Sequence, residues 1–139
     1  MIPMKIIVCL DDKGGLLFNN RRQSRDRALI ADVIDMTHGS RLCIDPYSMI
    51  LFEESEADIL CDETFLDIAD KSDYCFVENR SLAPYSAKID EIVIYHWNRK
   101  YPTDMFFDID LQKEGFKPIS TDEFKGYSHD KITKEIFKR

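Results

Sequence analysis

The chain has 139 residues, of which 44% are hydrophobic and 12% aromatic. This length fits one ordinary domain, so we expect a single domain over residues 1–139, and the apolar content excludes disordered and low-complexity classes. Nineteen basic residues against 26 acidic ones give a net charge of −7, which disfavours nucleic acid and anionic membranes as partners. The longest early apolar run, residues 6–10, is too short for a membrane span or a signal peptide, which predicts a cytoplasmic protein.

Neither the cysteines nor the histidines show the spacing of a metal site. The cysteines are far apart in sequence: Cys9, Cys43, Cys61 and Cys75. Three of them lie in strand-like runs, so we expect buried, reduced thiols rather than disulfides. The histidines are His38, His96 and His129. No pair of these residues has a metal-ligand spacing, so no metal is expected.

The hydrophobic pattern predicts alternating strands and helices. Residues 4–10 form a continuous apolar run followed by a polar, glycine-containing loop, which indicates a strand buried on both faces at the centre of a sheet. Ser24 is predicted to cap a helix that ends at Gly39, with His38 in its last turn. Further strands are predicted at residues 41–44, 57–61, 73–77 and 90–97, with short helical segments at 47–53, after Asp62 and at 81–87.

The end of the chain has a different pattern. Residues 116–124 and 131–138, joined by a Gly-Tyr-Ser turn, predict an antiparallel hairpin. Together these elements indicate a three-layer α/β fold with a mostly parallel central sheet, helices on both faces and an antiparallel C-terminal hairpin at its edge.

Three segments resemble the dihydrofolate reductase family in order and spacing. Residues 6–21 (IIVCLDDKGGLLFNNR) resemble its first strand and the substrate-side loop, and residues 132–139 (ITKEIFKR) resemble its last strand. Residues 89–120 resemble its late strand and the turn that leads into the final hairpin. The matching positions are Asp11, Gly14, Gly15, Leu16, Asn19, Asp104, Phe107, Asp110 and Phe116. The resemblance implies the fold of that family over most of the chain.

The motifs that the family uses for its cofactor and substrate are changed. Residues 21–27 (RRQSRDR) lack the Pro-Trp motif of the family. Asp26 lies close to the sequence position at which the family has the carboxylate that binds the pterin. The family's Gly-Arg-x-Thr, which receives a cofactor phosphate, is replaced by residues 44–48, including Asp45. Its Gly-Gly turn, which lets backbone amides approach the pyrophosphate, is replaced by Glu78-Asn79. Two carboxylates therefore stand where phosphates would bind, and we expect no dinucleotide cofactor.

The most unusual segment is residues 21–27, where four arginines and one aspartate give a net charge of +3. The segment follows a central strand and precedes a helix, which is where open α/β sheets bind ligands, and guanidinium groups suit phosphate or carboxylate. We predict a small anionic ligand bound by Arg21, Arg22, Gln23 and Arg25. The alternative is a solvated helix start whose arginines pair with Asp11, Asp12 or Asp35.

Three further side chains have two interpretations each. Asp26 is either a general acid or ligand anchor, which requires burial and a raised pKa, or an acid that stabilises the helix start. Ser24 is interpreted as a helix cap rather than a nucleophile, because no histidine is near it in sequence. Tyr95, predicted to line the ligand site, either contacts Asp26 or fills the pocket.

Three functional hypotheses follow. The first is a degenerate, non-reductase dihydrofolate-reductase-like domain that binds a small anionic molecule without a cofactor. The second is an NADPH-dependent reductase of a pterin or related heterocycle, in which Asp26 or a water molecule supplies the proton. The third is a protein-interaction module that uses the same arginines against an acidic partner.

Overall fold

The computed structural model describes residues 4–53 and 55–139. Within these ranges the chain forms ten strands: β1 (Met4–Leu10), β2 (Gly15–Phe18), β3 (Arg21–Arg22), β4 (Leu42–Ile44), β5 (Ile59–Cys61), β6 (Tyr74–Phe76), β7 (Ile89–His96), β8 (Met105–Phe106), β9 (Lys117–Phe124) and β10 (Ile132–Lys138). The helical elements are α1 (Arg27–Met36), α2 (Phe65–Ile68) and two 3-10 helices, Pro46–Leu51 and Ala83–Lys88.

Seven strands form the central sheet in the order β5-β4-β6-β1-β7-β10-β9. Strand β1 pairs in parallel with β6 and β7, whereas β10 is antiparallel to both β7 and β9. The predicted mostly parallel sheet with an antiparallel C-terminal hairpin is therefore confirmed. Strand β1 has apolar side chains on both of its faces, and both are covered only at the centre of the sheet. Ile6, Ile7 and Val8 are accordingly fully buried.

Alternation along β1 divides the core into two clusters, one on each face of the sheet. Ile6 and Val8 belong to one cluster, which also contains Phe65 of α2. Ile7 belongs to the other cluster, together with Leu29 of α1. Helices thus cover both faces of the sheet, as the three-layer prediction requires.

A second, three-stranded sheet with the order β3-β2-β8 was not predicted from the sequence. Its strands have two to four residues, too few for a period-two pattern, and β8 comes from a distant part of the chain. A local signal does exist at Asn19-Asn20, which connects β2 to β3. Both asparagines have positive φ angles, 51° and 58°, as in the two-residue turn that suits a tight hairpin.

Helix α1 begins later and ends earlier than the sequence predicts. Its cap is Asp26 rather than Ser24, since the Asp26 carboxylate accepts the backbone N–H groups of Ala28 and Leu29 at 2.9 and 3.3 Å. The helix ends at Met36, and Thr37 turns back to donate its hydroxyl to the Val33 carbonyl. The predictions of a Ser24 cap and of His38 in the last turn were wrong.

All four cysteines are free thiols, as predicted. Cys43 and Cys75 are buried and Cys9 is half-buried, whereas Cys61, which was not among the three cysteines in strand-like runs, is exposed on the edge strand β5. Across residues 4–53 and 55–139, no helix has both the length and the apolar character that crossing a membrane requires.

Candidate ligand-binding site

An ion pair between Arg22 and Glu78 fills the cleft at the carboxyl ends of β1 and β6. Arg22 Nε donates to Glu78 Oε2 at 2.7 Å, and Nη2 donates to Oε1 at 2.8 Å. Glu78 Oε1 also accepts the hydroxyl of Ser48 at 2.8 Å, and the Arg22 guanidinium lies over the Tyr47 ring. The space left beside the pair is a cavity of about 10 Å³, bordered by Cys9 among others.

The charges of this pair compensate each other inside the protein. Burial opposes the charge on Arg22, but the hydrogen bonds and the negative charge of Glu78 outweigh it and raise the pKa of Arg22. The side chains of Arg22 and Glu78 are only 16% and 11% exposed. Arg22 is therefore fixed by an internal partner, and Glu78 is its counter-charge.

The second carboxylate in the altered cofactor motifs, Asp45, is also neutralised from within the chain. It caps the 3-10 helix Pro46–Leu51 by accepting the backbone N–H of Tyr47 at 2.8 Å. Its other oxygen forms an ion pair with Arg80. Both carboxylates that the sequence places at the phosphate positions thus have arginine partners supplied by this chain.

Asp26 is buried and ionised. It accepts the backbone N–H groups of Tyr127 and Ser128 at 2.9 and 2.8 Å and lies 2.9 Å from Nδ1 of His129. Burial alone would raise its pKa, but these hydrogen bonds together with those from α1 lower the pKa well below the ordinary value. The general-acid role required a raised pKa, so that prediction was wrong, and Asp26 instead joins the start of α1 to residues 127–129.

His129 lies at the centre of a polar cluster that sequence reasoning missed. Its Nε2 is 2.9 Å from the Tyr101 hydroxyl and 3.2 Å from Ser24 Oγ, and its ring stacks on Trp97 with centroids 4.7 Å apart. His129 follows Ser24 by 105 positions and Asp26 by 103. No local pattern reveals such a contact, because it depends on the hairpin loop lying over the start of α1.

The predicted ligand residues do not converge on one point. Arg25 lines a groove between α1 and the 3-10 helix Pro46–Leu51, with a volume of about 680 Å³. Arg21, Arg22 and Gln23 line a second cleft of about 550 Å³, which Tyr101 also lines. The segment 21–27 therefore separates two clefts.

The other three arginines of segment 21–27 are not held by carboxylates of the described residues. Arg21, Arg25 and Arg27 are exposed, and within residues 4–53 and 55–139 none of the three forms an ion pair. Arg27 instead lies over the ring of Tyr127, 5.0 Å from its centroid. The pairing with Asp11, Asp12 or Asp35 in the alternative interpretation was wrong for the described part of the chain, although the three side chains are exposed, as a solvated helix start requires.

Tyr95 is fully buried and lines neither cleft. Its hydroxyl donates to Asp32 Oδ2 at 2.6 Å, and the Lys134 ammonium lies 2.9 Å from the same oxygen. Burial, followed by the hydrogen bond to Asp32 and by its negative charge, raises the pKa of Tyr95. Of the two interpretations of Tyr95, the contact with Asp26 was therefore wrong, because its hydroxyl binds Asp32 in the middle of α1 rather than the start of the helix.

Comparison with solved structures identifies the fold. A dihydrofolate reductase from Enterococcus faecalis, complexed with NADP(H) and RAB-propyl, matches with a TM-score of 0.68, covering 99% of this chain and 96% of that chain. The two sequences are only 13% identical. Neither the protein-family models nor the curated proteins give a match. The chain has the dihydrofolate reductase fold in a strongly divergent sequence, which confirms the resemblance at the level of the fold.

Proposed function

We propose that this protein is a binding domain on a dihydrofolate reductase scaffold, which takes a small organic anion with an apolar body and does not reduce it. The observation that carries the proposal is the groove of about 680 Å³ beside α1. A volume of this size suits a small-molecule ligand, and concave apolar grooves with a few charged groups are typical ligand sites.

The groove has two chemically different regions. Its apolar lining comes from both helices: Ile30, Ala31, Ile34, Ile50 and Leu51. Arg25 and Arg27, at the start of α1, supply the guanidinium groups, while Asp26, held by its own hydrogen bonds, and Glu53 also border the groove. Ile50 is 51% exposed, so apolar surface is available to a ligand. An apolar body would cover this surface while a carboxylate or phosphate is bound by one or both arginines.

The proposal excludes reductase activity because of the carboxylates in the cleft beside β1. A dinucleotide needs backbone amides or cations facing its phosphates, but Glu78 and Asp45 present carboxylates there, each already paired with an arginine. The cavity of about 10 Å³ beside Arg22 is also too small for a nicotinamide or pterin ring. These residues do not fit the cofactor, and no reaction step is assigned to it.

The test uses a matched pair of fluorescent probes. One is 8-anilinonaphthalene-1-sulfonate, an anion with an aromatic body, and the other is N-phenyl-1-naphthylamine, which lacks the sulfonate. The double variant Arg25→Ala, Arg27→Ala is expected to bind the anion at least about tenfold more weakly, because charge-assisted hydrogen bonds are lost. Binding of the neutral probe should change little. Arg21→Ala, in the same segment but outside the groove, is the matched control and should bind both probes like the wild type.

Two results would contradict the proposal. If Arg21→Ala weakened anion binding as much as the double variant, the site would be the other cleft. If NADPH bound with micromolar affinity in a calorimetric titration, Glu78 and Asp45 would not exclude the phosphates, and the reductase hypothesis would replace this one. A cooperative thermal unfolding transition in each variant verifies that the variant is folded, so that its binding can be compared with that of the wild type.

A further inference from the structure

We propose that Ser24, His129 and Asp26 form a nucleophilic triad that cleaves small carboxylic esters. Asp26 Oδ2 lies 2.9 Å from His129 Nδ1, and Ser24 Oγ lies 3.2 Å from His129 Nε2. The carboxylate and the hydroxyl thus occupy opposite nitrogens of one imidazole. This arrangement lets a histidine take a proton from serine while a carboxylate holds the ring, and it recurs on unrelated folds.

Asp26 acts here as a positioning residue. It is 3% exposed and ionised, and two backbone N–H groups from residues 127 and 128 fix its carboxylate. An ionised carboxylate beside Nδ1 favours the tautomer in which that nitrogen carries the proton. Nε2 is then left with its lone pair toward Ser24, and an imidazolium formed during reaction is stabilised by the adjacent charge.

Tyr101 provides a second hydroxyl at the same nitrogen, 2.9 Å from His129 Nε2. A neutral imidazole nitrogen has one lone pair, so it accepts from one hydroxyl at a time. When Ser24 donates its proton to Nε2, the Tyr101 hydroxyl is free to donate elsewhere. A phenolic O–H in this place can stabilise the negative oxygen that develops on an attacked carbonyl.

A substrate can approach from the cleft of about 550 Å³. Tyr101 and Gln23 line this cleft, and Ser24 follows Gln23 directly and is half-buried. Ser24 lines the cavity of about 10 Å³ rather than the cleft itself, and Arg22 and Gln23 border both spaces, so the cleft adjoins the Ser24 side chain. Ser24 and His129 lie outside the groove that Arg25 and Arg27 line, although Asp26 borders it, and the triad does not depend on an anion bound there.

The reaction needs only an ester and water. Ser24 Oγ forms a bond to the carbonyl carbon while its proton passes to His129 Nε2, and the ester C–O bond then breaks. The leaving alkoxide takes the proton from His129 and departs as an alcohol. Water next attacks the acyl group on Ser24 with His129 again accepting a proton, which releases a carboxylic acid and restores the serine.

The test is covalent labelling of the wild-type protein with diisopropyl fluorophosphate, located by tandem mass spectrometry. We expect a phosphoryl adduct on Ser24, formed as Oγ bonds to phosphorus and fluoride leaves. Ser128 is an internal control, because its hydroxyl lies 3.2 Å from His129 Nδ1, the nitrogen that faces Asp26. His129→Gln should slow labelling at least about 100-fold, since the general base is lost.

Variants of the two hydroxyl residues give a second readout. Ser24→Ala should abolish both labelling and the burst of 4-nitrophenol released from 4-nitrophenyl acetate. Tyr101→Phe should still be labelled on Ser24 but hydrolyse the ester about 100-fold more slowly, as loss of an oxyanion donor does elsewhere. A folded wild-type protein without an adduct on Ser24 would overturn the proposal. An adduct on Tyr101, or wild-type labelling of His129→Gln, would overturn it as well.

Discussion

Arg22 and Glu78, 56 positions apart in the sequence, form a two-point ion pair at 2.7 and 2.8 Å in the cleft at the end of the central strands. The pair joins the small sheet, through β3, to the segment that follows β6. Arg22 is thus held by an internal carboxylate, whereas the other three arginines of segment 21–27 form no ion pair within the described residues.

Removal of one partner of this pair should destabilise the protein strongly. Arg22→Met leaves Glu78 as a buried, uncompensated charge, and the expected loss is about 3 kcal/mol in the free energy of unfolding. Urea denaturation followed by circular dichroism measures it. The double variant Arg22→Met, Glu78→Met should regain most of the loss, because no charge stays buried. Equal stability of the single and double variants would show that the pair is not energetically coupled.

Asp26 should make stability depend on acid pH. Its pKa is lowered in the folded protein, so its contribution is fully present above the unfolded pKa of about 3.9 and is lost as the pH falls from there toward the folded pKa. Asp26→Asn is expected to cost on the order of 2 kcal/mol at neutral pH, with a difference from wild type that shrinks between about pH 4 and 2. Asp12→Asn, at an exposed position, is the control and should follow the wild type. A difference that did not change with pH would show that the carboxylate charge is unimportant.

The Tyr95 hydroxyl should contribute to stability through Asp32. Tyr95→Phe removes the 2.6 Å hydrogen bond without opening a cavity, so we expect a loss of about 1 kcal/mol in chemical denaturation. In a double-mutant cycle with Asp32→Asn, the two losses should be less than additive, since both variants remove the same contact. Additive losses would mean that the contact does not stabilise the folded state.

The four thiols should react at different rates with a thiol-specific disulfide reagent. Cys61 is exposed and should react first, whereas Cys43 and Cys75 are buried and should react only after unfolding. Burial also raises the pKa of Cys9 and so reduces its reactive thiolate fraction. Cys61→Ser should therefore remove the rapid phase of the reaction. Rapid reaction of two or more thiols in the native protein would contradict the described packing.

The sequence by itself determined the central sheet. Strands β1 and β7, the C-terminal hairpin and the existence of α1 follow from local hydrophobic periodicity, which needs no knowledge of distant contacts. The resemblance to the dihydrofolate reductase family, read from the order of weak motifs, was correct for the fold. The start of helix α1 was predicted less accurately, because both Ser24 and Asp26 are residue types that can cap a helix.

Only the tertiary structure decided which side chains meet. Arg22 finds Glu78 and Asp26 finds His129 because strand order and the hairpin loop place them together, although 56 and 103 positions separate them in the chain. The four predicted ligand residues Arg21, Arg22, Gln23 and Arg25 are distributed between two clefts for the same reason. Charge and spacing along a chain show which groups are present, but their pKa values and partners depend on burial and geometry that arise only on folding.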